Sequence, residues 1–321
     1  MKKFCSIIIP FKNSKKTLRK CISSVINQVG KVDYEIILIN DFSNDGSNLL
    51  CQKLIKDINK CRLLKSKKNT IGPGHARNIG IKNAKGRYIF FLDSDDYLKK
   101  NALILLLKEF EKSNYPDLIC INFKLFDKVG NIKKKNRFDL ELYKETKKKI
   151  LLNFFNLSII PQVISNLISK SVIDKNRIQF VEGYFEDINF FFKVLYYVKN
   201  IKILKQAIYF KINNHNSIVN SLTKQHIIDS FNAYYLSYKF LIKKNFLRKK
   251  IINEYLMIAL SGQVAVFLKR IYAHKANVKK ANDLGNLLKK SYFKIQRKLK
   301  FNYIFTTNKD IIAKKFLYDK E

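Results

Sequence analysis

Short apolar runs alternate with amphipathic helical stretches from residue 7 to residue 123, and no other property of the chain restricts its fold so sharply. Ile7–Ile9 reads as a strand, after which Leu18, Cys21, Ile22, Val25 and Ile26 recur on one helical face behind an Asn13/Ser14 cap. The pattern then predicts a strand at Glu35–Ile39, a helix through Leu50, Leu54, Ile55 and Ile58, and a short strand at Arg62–Leu64. It continues with a helix around Ala76–Ala84, a strand at Tyr88–Leu92, a helix at Asn101–Glu111 and a strand at Leu118–Phe123. Strand-helix repeats with short connections imply an α/β class, with a mostly parallel, doubly wound sheet flanked by helices. Ligands of such sheets bind beyond the carboxyl ends of the strands. Three polar clusters fall there: Pro10–Asn13, Asn40–Ser47 and Asp93–Asp96.

The last cluster closes the run Arg87-Tyr-Ile-Phe-Phe-Leu-Asp93-Ser94-Asp95-Asp96, in which a buried strand ends in carboxylates. Side chains two apart on a strand face the same way, so Asp93 and Asp95 are expected to converge. Hard oxygen ligands arranged in this way suit Mn²⁺ or Mg²⁺, which keeps open positions for phosphate. The alternative is that Ser94, Asp95 or Asp96 caps a helix starting near Lys99.

Beyond residue 123, the lysine-rich segment Lys128–Arg137 reads as an exposed turn before a helix near Lys144. Phe180–Asp187 opens an aromatic helix running to about Val198, a strand follows at Ile201–Ile212, and long helices begin at Ser221. The expected division is an α/β domain over 1–220 and a basic, mostly helical region over 221–321. Residues 221–321 hold 22 Lys and Arg against 6 Asp and Glu.

A formal charge of +38 makes nucleic acid, an anionic membrane surface or a polyphosphate substrate plausible partners, and an AT-rich coding bias would produce the same surplus. Hydrophobic residues at 47% exclude a disordered chain. Cys5, Cys21, Cys51, Cys61 and Cys120 are odd in number and lack CxxC pairing, as reduced core cysteines of a cytosolic protein would be. The N-terminal apolar run ends at Pro10 and reads as a strand rather than a leader. Tyr255–Leu268, interrupted by Ser261, Gly262 and Gln263, falls short of the ~20 residues that span a bilayer, so no transmembrane helix is predicted.

Five blocks, in order, resemble glycosyltransferase family 2, whose members adopt the GT-A fold, a Rossmann-like sheet flanked by helices. They are Ser6-Ile-Ile-Ile-Pro10-Phe-Lys-Asn13, Glu35-Ile-Ile-Leu-Ile-Asn-Asp41 running to Ser47, and Gly72-Pro-Gly-His-Ala-Arg77-Asn78-Ile-Gly80. Lys85-Gly-Arg running to Asp96, and Glu186-Asp187 before an aromatic run, complete the set, which spans roughly residues 4–220. Within the family, the blocks look most like bacterial enzymes of surface polysaccharide and lipooligosaccharide synthesis.

The resemblance implies inverting transfer from a nucleotide-diphospho-sugar, most simply a UDP-sugar, to a hydroxyl of a glycan or lipid-linked acceptor. Asp41 matches the acid that recognises the base, with Pro10 and Asn13 beside that pocket. Arg77 matches a donor-binding arginine whose planar guanidinium suits a diphosphate. Asp95 would hold the metal, with Asp93 positioning it and Ser94 at the donor, so that charge on the leaving diphosphate is neutralised. Asp187 matches the base, and Glu186 is its alternative if the register shifts by one. His215 resembles a late segment approaching the metal or donor phosphates; a solvated loop histidine is the other reading. Lys12 replaces a usual aromatic, Asn40 replaces the first acid of a common pair, and Phe42 stands where glycine is frequent.

The basic helical region could dock peripherally on the inner face of the cytoplasmic membrane or simply pack as a helical subdomain. Two other functions compete: a basic nucleic-acid-binding protein, which leaves the convergent acids unexplained, and a sugar-1-phosphate nucleotidyltransferase, for which no glycine- and lysine-rich phosphate loop is found.

Overall fold

A computed structural model describes residues 3–67, 69–127, 132–134, 139–212, 222–273, 278–301, 303 and 308–318. Within-unit contacts divide the chain into Met1–Thr146 with Gln162–His215, and Lys147–Pro161 with Asn216–Glu321. The second unit thus takes in Lys147–Pro161, which the sequence pattern places within 1–220.

In the first unit, β1 (Cys5–Phe11), β2 (Tyr34–Asn40), β3 (Cys61–Lys65) and β4 (Tyr88–Phe91) alternate with α1 (Lys15–Ile26), α2 (Ser47–Ile55) and α3 (Gly74–Asn83). Every residue of β1, β2 and β4 is buried, as strands covered on both faces require. Each fully buried Ile or Phe contributes about 1.5–3 kcal/mol of transfer free energy. The sheet continues through β5 (Tyr97–Leu98), β6 (Leu118–Phe126), β7 (Ile132–Lys134), β8 (Asn166–Ser169) and β9 (Ile201–Ile212) in the order β3-β2-β1-β4-β8-β6-β9-β5, with β7 beside β6. The parallel arrangement expected from the repeats holds for β3-β2-β1-β4 and for β6 with β9. β8 runs antiparallel to both β4 and β6, and β5 antiparallel to β9. The antiparallel half escapes sequence reading because β5 has two residues and β8 four, too few for a visible period. Helices α4 (Ala102–Lys112), α6 (Lys170–Lys175) and α7 (Glu186–Tyr197) complete this unit, with a 3₁₀ turn at Leu140–Lys144.

The turn expected over Lys128–Arg137 lies outside the described residues apart from β7. The helix expected near Lys144 begins instead at Lys147 as α5 (Lys147–Phe155).

The second unit joins α5 to α8 (Lys224–Lys244), α9 (Lys249–Ala273), α10 (Val278–Leu299) and α11 (Asn308–Tyr318). Helix α9 corrects the expectation of a broken, too-short apolar stretch. It runs unbroken through Ser261-Gly262-Gln263 and, by length and composition, is the one helix among the described residues able to cross a membrane, with 61% of its apolar window buried inside the protein. At that interruption Ser261 is buried with its hydroxyl unpartnered, Gln263 accepts a 2.9 Å bond from the Ser230 hydroxyl, and Gly262 faces Leu157.

Candidate active site

The loops leaving β1 and β2 are sewn together by their own polar side chains. Asp41 N–H donates to the Phe11 carbonyl at 2.8 Å, Asn13 N–H to the Ser43 hydroxyl at 3.1 Å, and Asn44 N–H to the Asn13 side chain at 2.9 Å. The Asn13/Ser14 cap expected for α1 is not formed by either side chain. Instead Asp45, from the second loop, accepts from Lys15 N–H at 2.9 Å and from Ser47 N–H at 2.9 Å, serving the starts of two helices. Asn40 accepts from Ser43 N–H at 3.0 Å. Phe42 stands at φ 58°, the left-handed region that makes glycine frequent at such a position.

With the turn chemistry met by Asn40 and Asp45, Asp41 is released from capping. It is buried, and its Oδ1 has no hydrogen-bond partner. Burial raises its carboxyl above the usual range while Lys12, Ser66 and His75 pull it down. A buried acceptor without a partner in such a cleft suits a ligand N–H. Pro10, buried in β1 opposite Ile39, and the exposed Asn13 lie at this same strand end.

The third loop is tied in by a 2.8 Å bond between the hydroxyls of Ser14 and Ser94. Here β4 ends at Phe91, so strand alternation does not bring the acids together. A turn does, with Asp96 N–H donating to the Asp93 carbonyl at 3.0 Å, and carboxylate oxygens of Asp93, Asp95 and Asp96 lie within 4.8 Å of one another. None of these side chains caps the next helix: α4 starts at Ala102 behind Asn101.

The three acids have different occupations. Buried Asp96 is held by the Tyr209 hydroxyl at 2.6 Å and by Ile212 N–H at 2.8 Å, which anchors the turn to β9. Asp93 gives one oxygen to Arg77 at 2.8 Å. Burial and the Asp93 charge push the Asp95 carboxyl up to about 6, with Lys211 pulling it down. Asp95 and the second oxygen of Asp93 therefore fit a divalent cation by their oxygen chemistry and proximity, and its charge would relieve the repulsion that raises Asp95. His215 lies outside the described residues.

Arg77 on α3 is the hub. Its two terminal nitrogens bridge Asp93 and Glu186, while its buried Nε has no partner. Its guanidinium carbon sits 5.5 Å from the Phe180 ring centre and 5.9 Å from that of Phe91, and Phe180 stacks on Phe190 at 3.8 Å. Asn78, one residue on, fixes the facing segment at two points: its amide donates to the Phe180 carbonyl at 2.9 Å and accepts from Phe180 N–H at 2.9 Å. Two glycines permit this closeness. A Cβ on Gly80 would stand 2.4 Å from Ile8 Cγ2, and one on Gly72, at φ +76°, 2.4 Å from the Gly183 carbonyl oxygen.

Glu186 and Asp187 share the first turn of α7 but differ in surroundings. Glu186 is buried and committed to Arg77, whereas Asp187 is partly exposed and outside that bridge. Burial and the Glu186 charge push the Asp187 carboxyl up to about 7, against the pull of Arg77 and Lys211. Lys211, Tyr209 and Asn78 are the site residues that sequence reasoning missed. Asn78 lies inside a family-like block and Tyr209 and Lys211 inside the segment that carries His215, none with a role attached, and pairing of β9 with β5 and β6 is what brings the latter two to the acids.

By fold, the chain aligns with *S. aureus* TarS 1–349 in complex with UDP-GlcNAc at a TM-score of 0.69, with 19% identity, over 98% of this chain and 90% of that one. This likeness shows the α/β GT-A-type fold with its helical C-terminal extension. The family model for glycosyl transferase family 2 matches residues 6–175. The poly(ribitol-phosphate) beta-N-acetylglucosaminyltransferase TarP of *Staphylococcus aureus* is 36% identical over 75% of this chain and 74% of its own length. The cholesterol galactosyltransferase of *Borreliella burgdorferi* is 28% identical over 69% of this chain and 63% of its own length. The chain belongs to glycosyl transferase family 2 and is a glycosyltransferase. That assignment displaces both the nucleic-acid-binding and the nucleotidyltransferase readings.

Proposed function

We propose that the protein transfers a sugar, with inversion, from a UDP-sugar to a hydroxyl of a bacterial cell-surface glycan or lipid-linked acceptor, with Asp187 as general base. The observation that carries this reading is the division of labour in the first turn of α7: Glu186 is consumed by Arg77, and Asp187 is left with a proton affinity near neutrality. A base of that affinity is half-ionised at physiological pH and can take a proton from an alcohol as it attacks.

Asp41 receives an N–H of the uracil ring through its unpartnered oxygen, with Pro10 and Asn13 bordering the base. Arg77 and Ser94 face the diphosphate, Arg77 in the fixed orientation that its carboxylate and aromatic neighbours impose. Asp95, with Asp93, holds Mn²⁺ or Mg²⁺, and His215 is assigned as a further ligand by resemblance alone. When bound, the cation would supply Lewis-acid neutralisation of charge on the departing UDP. The poly(ribitol-phosphate) substrate in the name of the relative TarP supports a polyol-phosphate or glycan polymer as acceptor. Five free cysteines suit the reducing cytoplasm, and the basic helices suit a peripheral position on the inner face of the membrane.

Incubation of the purified protein with Mn²⁺ and a UDP-sugar panel, with acceptor polymer or water, tests this. Asp187→Asn is expected to lose roughly 10²–10⁴-fold in turnover while UDP binding by calorimetry survives. Full turnover in that variant rejects Asp187 as base, and no UDP binding by the native protein rejects the donor.

A further inference from the structure

Helices α8 and α9 form an antiparallel hairpin, and its end has an unusual composition. The bond between Ser230 and Gln263 sets the register: both residues lie 16 positions from the Phe246–Leu247 pair, which is therefore the tip, about 24 Å of helix beyond that bond. The connection is ordered at both ends. Asn245, at φ 48°, closes α8 with its N–H on the Ile242 carbonyl at 3.1 Å, and Arg248 opens α9 by accepting from Ile251 N–H at 3.0 Å.

The tip reads Lys243-Lys244-Asn245-Phe246-Leu247-Arg248-Lys249-Lys250. All five cations and Asn245 are exposed, and the two apolar side chains between them are partly exposed. No Asp or Glu occurs from Ser230 to Asn253, a stretch that also contains Lys239. Farther along α8, Lys239 lies over the ring of Tyr235 at 5.3 Å, and Lys298 of α10 lies over the same ring at 5.6 Å, which extends the cationic surface beyond the tip.

A general charge surplus supplies lysines anywhere on the surface; here they flank Phe246 and Leu247, which follow the left-handed cap of α8 and keep part of their apolar surface exposed. An apolar pair ringed by cations is what the boundary of an anionic bilayer selects, with apolar side chains entering the headgroup region and ammonium groups meeting phosphates. We propose that the α8–α9 tip is the element by which this protein docks on an anionic lipid membrane. This rests on the peripheral-membrane reading above and locates it at Phe246–Leu247 and the five flanking cations.

The chain has no tryptophan, so Phe246→Trp introduces a single reporter at the tip. With vesicles containing phosphatidylglycerol, its emission is expected to shift to the blue and to be quenched by brominated acyl chains. Pure phosphatidylcholine vesicles are expected to leave it unchanged. Should circular dichroism show lost helix content, Leu247→Trp serves in its place. In sedimentation with the same vesicles, Lys249→Ala with Lys250→Ala should weaken binding roughly 25-fold, about fivefold per cation. Lys53→Ala with Lys56→Ala, both exposed at the C-terminal end of α2, should not. Vesicle binding with an unshifted, unquenched reporter overturns the tip and leaves membrane association standing. Absence of vesicle binding overturns both. An equal shift with dextran sulfate in place of vesicles overturns the lipid assignment in favour of a polyanion surface.

Discussion

At the scale of single residues, the first turn of α7 shows how adjacent acids acquire different chemistry. Burial raises both carboxyls, but Glu186 gains Arg77 as a partner, whereas Asp187 feels Glu186 as a neighbouring negative charge. A general base works only when ionised, so kcat/KM is expected to rise through pH about 7 and level off above it. Glu186→Gln keeps an acceptor for Arg77 and removes the charge, so the rising limb should move to lower pH. A pH series of initial rates on both proteins checks this, and an unmoved limb would mean that Glu186 does not set the affinity of Asp187. The Asp-Glu pair was visible in the sequence, and so was the Asp93–Asp96 cluster. What could not be read was which carboxylate stays free, because that depends on Arg77, 109 positions away from Glu186 along the chain.

At the scale of elements, the parallel half of the sheet was legible because each strand is a dense apolar run followed by a helix with its own period. Its carboxyl edge carries the site, and its amino edge carries a knot that holds the strands. Glu35, buried in β2, accepts from the Ser6 hydroxyl at 2.6 Å, Lys85 N–H at 2.6 Å and Arg62 at 2.8 Å, while Gly86 N–H donates to Ser6 at 2.8 Å. Burial acts to raise the Glu35 carboxyl, and these bonds together outweigh it and lower it. A lowered folded-state value means that the stabilisation is present above the unfolded value, about 4.3, and is lost as pH falls through the folded one. Glu35→Ala should cost about 3 kcal/mol in urea unfolding at pH 7, since Arg62, the Lys85 amide and the Ser6 hydroxyl lose their acceptor. The gap from the native protein should narrow below pH 4. A gap that stays constant with pH would point to lost packing rather than lost charge. The knot joins Ser6, Glu35, Arg62 and Lys85 across three strands and a loop, and only Arg62 and Glu35 advertise themselves as charged residues within predicted strands.

At the scale of the whole molecule, composition alone misleads about α9. Its 25 residues satisfy the length and hydropathy of a membrane span, yet at its centre Gln263 is bonded to Ser230, Gly262 faces Leu157 and Ser261 is buried inside the protein. Gly262 decides between these readings most directly. A Cβ there would stand 2.3 Å from Leu157 Cδ1, so α9 packs against the 147–161 segment with a leucine methyl seated on the glycine, and any larger side chain must displace it. Helix α9 is therefore a core helix of the second unit, and Gly262→Leu should cost about 1–3 kcal/mol through overpacking. Hydrogen exchange would localise the damage: amides of α5 and α9 should lose protection while those of β1, β2 and β4 keep theirs. In a lipid-facing helix the same substitution would be neutral or favourable, because added apolar surface there meets acyl chains rather than Leu157. Unchanged protection in α5 and α9 would therefore reverse the assignment. Loss confined to those helices would leave the connection at Phe246–Leu247, rather than the body of α9, as the part of this unit suited to meet a bilayer.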